Sequence, residues 1–132
     1  LIAGLHANFE ATLQAFVSNC LTERDGDDLH RWGMHMLRRS NPQAATELLT
    51  CRRSVRLEDQ VASLQLPALL VHGDADRITP PGHARELAEL IPGATLVELE
   101  GVGHQIMQES PVALAGIIDD LDGRAPSPVP VA

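Results

Sequence analysis

Two short apolar runs, one helix length apart in the second half of this chain, restrict its fold more than any other feature. Pro67-Ala-Leu-Leu-Val-His72 and Ala94-Thr-Leu-Val-Glu-Leu99 have strand length and are rich in Leu and Val. Between them Pro80-Pro81 opens a segment in which Ala84, Leu87, Ala88 and Ile91 recur at helical spacing until Pro92-Gly93 stops it. Strand, helix and strand in that order need a crossover, so the strands are expected to be parallel and the connection right-handed. The continuous apolar stretch from Ala68 to Val71 predicts a strand buried on both faces. Leu66-Pro67 marks where the periodicity changes, because proline disfavours helix at the residue before it.

Everything before that point reads as helix. Phe9, Leu13, Phe16, Val17, Cys20 and Leu21 share one helical face, with Asn8 placed to cap it. Thr22 to Gly26 reads as a turn, after which Asp27-Asp28 is expected to cap a second helix that aligns Leu29, Trp32, Met36 and Leu37, with Arg38 and Arg39 at its negative end. Asn41-Pro42 supplies a cap and a first-turn proline for a third helix through Ala44 to Cys51, and a short helical piece from Leu57 to Leu64 follows. Past the second strand, Ser110-Pro111 starts a last helix carrying Val112, Leu114, Ala115, Ile118 and Leu121. The expected division is a helical segment over residues 1–65, a β-α-β-α unit over 66–122, and a disordered proline-rich tail over 123–132. Two parallel strands cannot bury their own edges, so the rest of a sheet is implied elsewhere.

Composition removes several classes of function. The 132 residues carry a net charge of −8, and all ten basic residues are arginines scattered along the chain, which argues against a phosphate backbone or an anionic membrane as partner. Phe9, Phe16 and Trp32 are the only aromatic residues, too few for base stacking. Cys20 and Cys51 lack a paired-cysteine spacing, so buried free thiols are the default expectation and a disulfide stays open. No apolar stretch approaches the roughly 18 residues of a membrane span, and no leader pattern opens the chain, so a cytoplasmic location is expected.

Both strands end in glycine-bearing turns with ionisable side chains: Gly73-Asp-Ala-Asp-Arg-Ile-Thr-Pro-Pro81 and Glu100-Gly-Val-Gly-His104. Ligands of open parallel sheets bind beyond the carboxyl ends of the strands, where an Asp and a His from neighbouring turns can form an acid and a base. Asp74 and Asp76 both qualify as the acid, and His104 as the base. His72 reads as a packed neighbour and His83 as solvated; His6, His30 and His35 belong to polar helix faces. A metal cluster of His72, Asp74, Asp76 and His104 has no ligand-spacing motif behind it, and no cofactor is expected. Phe16, Trp32, Met34 and Met36 suit either an apolar pocket or, more commonly at helical spacing, core.

Residues 58–122 resemble the C-terminal half of an α/β-hydrolase of the single-domain esterase, lactonase and C–C hydrolase type, through Leu66 to Pro81 and through Gly101-Val-Gly-His-Gln-Ile-Met-Gln-Glu-Ser-Pro111. The resemblance implies the C-terminal part of an α/β-hydrolase fold, with residues 1–65 as a helical lid. It carries the triad acid to Asp76, by the Gly-x-x-Asp spacing from Gly73, and the base to His104; Asp74 is the competing acid. No Gly-x-Ser-x-Gly turn occurs, and Ser18, Ser40, Ser54, Ser63, Ser110 and Ser127 lack the strand-turn-helix setting of a nucleophile. The implied partners are a small ester or lactone substrate and the N-terminal half of the hydrolase or another subunit. Inactivity is expected of the isolated chain. A non-catalytic module pairing through an uncovered sheet edge is the alternative, and a cofactor-free haloperoxidase or acyltransferase with the same triad is a third reading.

Overall fold

A computed structural model describes residues 1–22, 26–52 and 57–122; the expected proline-rich tail, and residues 23–25 of the expected turn, lie outside that set. Five helices come first: α1 (Ile2–Ala7), α2 (Phe9–Cys20), α3 (Gly26–Leu37), α4 (Pro42–Arg52) and α5 (Glu58–Ala62). Then follow β1 (Leu69–Gly73), α6 (Pro81–Leu90), β2 (Thr95–Leu99), the single turn α7 (Ile106–Glu109) and α8 (Pro111–Asp122).

Several boundaries follow from the residues that cap them. The Asn8 carboxamide accepts from the Ala11 amide at 3.1 Å and starts α2. Asn41 accepts from the Gln43 and Ala44 amides at 2.8 and 3.2 Å, with Pro42 occupying the position where an amide hydrogen would be wasted. Helix α1 has no side-chain cap, which is why no local signal announced it. Helix α3 begins at Gly26, ahead of the aspartate pair expected to cap it.

The strands are parallel, with Leu69 opposite Thr95 and Gly73 opposite Leu99, and α6 packs on both. An Arg85–Glu98 ion pair at 2.8 Å also joins α6 to β2. Strand β1 differs from expectation: Leu69, Leu70 and Val71 are half-buried rather than buried on both faces. Among the described residues the sheet has two strands with α6 packed on them, less than the helices on both faces and the strands on both edges that would bury β1 fully.

The principal core lies between α2 and α3, where Leu13, Val17 and Met34 are buried and Phe9, Leu21 and Leu37 pack around them. Gly33 lets the helices close, since a Cβ there would lie 3.1 Å from Val17 Cγ1. Trp32 and Met36, expected on the packed face, are half-exposed instead. Helix α3 turns Met34 to α2 and leaves the Leu29, Trp32, Met36 stripe along a cleft. Cys20 is buried and Cys51 exposed, so the expectation of two buried thiols holds only for the first; they are not bonded to each other.

Candidate active site

The turns after β1 and β2 are knitted together by backbone bonds. Asp74 donates its amide to Leu99 O and Ala75 to Val102 O, both at 3.0 Å, while Gly101 donates to Asp74 Oδ1 at 2.6 Å. Gly73 has to be glycine. A Cβ at that position would fall 2.1 Å from Val102 O and 2.5 Å from Gly103 O. Gly101 has φ 65°, in the left-handed region that glycine enters without steric cost.

This framework brings Asp76 and His104 into contact. His104 Nδ1 lies 2.9 Å from Asp76 Oδ2, and the other carboxylate oxygen accepts from the Ile78 and Thr79 amides at 2.7 and 2.9 Å. The Asp76 side chain is 3% exposed and that of His104 34%. Burial alone pushes the Asp76 carboxyl up. The bond to His104, the Thr79 and Ile78 amides and the imidazole charge outweigh that push and hold it below its ordinary value. An ionised carboxylate can only accept, so it selects the tautomer with hydrogen on Nδ1 and leaves the Nε2 lone pair available.

Asp74 spends its carboxylate on Gly101 and is exposed. His72 stands beside the pair, donating Nε2–H to Thr79 O at 2.8 Å and lying 3.4 Å from Asp76 Oδ2. His83 is exposed. His30 pairs with Ser18 Oγ at 3.1 Å, and the Ser40 and Ser63 hydroxyls donate to Leu37 O and Gln60 O in their own turns. Among the described residues no group of three or more His, Cys, Asp or Glu side chains is arranged to hold a metal, and no helix is long and apolar enough to cross a membrane.

Sequence reading missed the contribution of the helical half. The His104 amide donates to Cys20 O at 2.9 Å, which ties the end of α2 to the main chain of the residue that bears the imidazole. Burial pushes the Cys20 thiol up to about 11, the charges of Asp76 and Glu109 adding to it, so the sulfur stays protonated at neutral pH and is no thiolate nucleophile. Glu109 accepts from the Thr22 amide and hydroxyl and from the Gly103 amide. Among the described residues, clefts flank α2. An apolar one of about 150 Å³ runs from Phe16 and Trp32 to Gln105, the residue after His104. A wider one of about 560 Å³ reaches Arg77 and Ile78, which follow Asp76.

Parallel strands joined through a crossover helix and preceded by a helical segment have the architecture of an α/β-hydrolase. The fold is shared with an esterase from Exiguobacterium antarcticum, at TM-score 0.83 and 18% identity over 91% of this chain and 45% of the esterase. It is shared also with a hydrolase from Pseudomonas aeruginosa, at TM-score 0.81 and 26% identity over 92% of this chain and 48% of that one. A rhodomycin D methylesterase from Streptomyces is 43% identical over 47 residues, which are 36% of this chain and 16% of the methylesterase. The profile of the family described as serine aminopeptidase, S33, matches residues 18–111, and the chain belongs to that family. It spans less than half the length of the two solved hydrolases.

Proposed function

We propose that the chain supplies the acid and base of a Ser-His-Asp hydrolase of esters, lactones or activated C–C bonds, Asp76 being the acid and His104 the base. In this reading residues 66–122 belong to the catalytic core, residues 1–65 form its lid, and the nucleophile comes from the rest of the fold. The observation that carries it is the 2.9 Å bond between a buried carboxylate and a part-exposed imidazole.

The chemistry follows from that tautomer. Nε2 takes the serine proton as the hydroxyl oxygen attacks the substrate carbonyl, and returns it to the departing group as the carbon–oxygen or carbon–carbon bond breaks. Water then repeats the sequence on the acyl-serine, which regenerates the hydroxyl. Asp76 keeps the ring oriented and stabilises the imidazolium. The cleft from Phe16 to Gln105 suits an apolar group on the substrate, and the methylesterase relative supports an ester in preference to the other bonds.

The apolar surface supports a partner built from the rest of the hydrolase. Val112 is 85% exposed, and the buried Gln108 Oε1 has no hydrogen-bond partner among the described residues. The second reading, a non-catalytic module that docks through its sheet edge, draws its support from the two-stranded sheet of the described residues, whose edges no further strand covers. A nitrophenyl acetate assay separates the two. The isolated chain is expected to turn over no faster than its His104→Ala variant, whereas in a full-length hydrolase containing the chain that substitution abolishes turnover. Undiminished turnover by the full-length variant contradicts the triad reading.

A further inference from the structure

The Glu109 carboxylate accepts hydrogen bonds from two segments that local sequence does not connect. Oε2 takes the Thr22 amide at 2.9 Å and the Thr22 hydroxyl at 2.5 Å, across 87 residues of chain. Oε1 takes the Gly103 amide at 3.2 Å. These donors lie at the end of α2 and in the turn that presents His104. The carboxylate fills the space a side chain at position 103 would need, since a Cβ on Gly103 would fall 2.7 Å from Glu109 Oε1 and 3.0 Å from Cys20 O.

We infer that Glu109 is a positioning residue for His104, clamping the base-bearing turn of the core to the end of helix α2. This rests on the triad reading and assigns Glu109 no contact with substrate. A carboxylate suits the place because it accepts on both oxygens, and ionised acceptors make the stronger hydrogen bonds. Glutamine has nearly the same shape but one acceptor oxygen. Whichever way its amide turns, its NH2 meets an N–H donor from Gly103 or Thr22. The clamp also connects the cleft to the chemistry, because α2 contributes Phe16 and Cys20 to the cleft and Cys20 O holds the His104 amide.

Glu109→Gln, Glu109→Ala and Thr22→Val in the full-length hydrolase test the inference, with kcat, KM and the unfolding temperature read for each and with His104→Ala alongside. A base displaced by about 1 Å costs on the order of 10²-fold in rate. The expected result for Glu109→Gln is a kcat loss of that size with KM within about twofold of the parent, in protein that remains folded at the assay temperature. Thr22→Val, which removes only the hydroxyl, falls between that variant and the parent. The Nδ1 proton resonance of His104 is expected to broaden or shift in Glu109→Gln. A variant that melts earlier but keeps kcat and this resonance overturns the clamp. If His104→Ala itself leaves kcat unchanged, the triad reading fails instead, and the resonance still decides whether Glu109 positions the ring.

Discussion

The strand-tip turns and the helical half of this chain are held in place by different means. Around Asp76 and His104 both Asp76 oxygens and the Asp74 carboxylate hold hydrogen bonds across the turns, and Gly73 passes so close to the facing turn that no side chain fits. The helices before them rest on a small apolar core of Leu13, Val17 and Met34, with Trp32 and Leu48 left at the surface. Geometry that must hold an imidazole to a fraction of an ångström is fixed by many short bonds. The helical half, resting on apolar packing, is held by fewer such bonds.

Substitutions that weaken one region and spare the other sharpen this contrast. The largest effect is expected at Gly73→Ala, where the new methyl overlaps the Val102 carbonyl and the turns must separate, at a cost on the order of 4–5 kcal/mol by urea unfolding. A cost below about 1 kcal/mol, the ordinary surface range, would mean the turns are looser than described. In the helical half, Met34→Ala is expected to cost about 2–3 kcal/mol from lost burial and cavity formation. Trp32→Ala, at a residue 50% exposed, is expected to cost less than about 1 kcal/mol. Equal losses for the two would place Trp32 in the core after all. The smallest effect is a gain: Gly116 lies within α8 with open space around it, and Gly116→Ala is expected to stabilise by about 0.5–1 kcal/mol.

The same division governs what the sequence disclosed. Signals confined to a few neighbouring residues were legible: Asn8 and Asn41 as caps, Pro81 at a helix start, and the parallel pairing required by the crossover. So were the strand-end turns, because glycine, aspartate and histidine there stand in a readable spacing. Which face of α3 is buried was not legible, since Leu37 belongs both to the packed row with Met34 and to the cleft row with Trp32, and only the placement of α2 decides between them. Glu109 was silent for a similar reason. Its value lies in contacts with Thr22 and Gly103, and nothing beside it in the chain announces either.

The central claim is that Asp76 fixes the proton of His104 on Nδ1 so that Nε2 is free to act. Nitrogen-15 NMR of the imidazole in the 132-residue chain, recorded above the pH at which the ring loses its charge, reads that directly. The account predicts a protonated Nδ1 and a bare Nε2 in the parent and in Asp74→Asn, with that tautomer preference lost in Asp76→Asn. A parent His104 carrying its hydrogen on Nε2, or a preference that survives Asp76→Asn and disappears in Asp74→Asn, would contradict it.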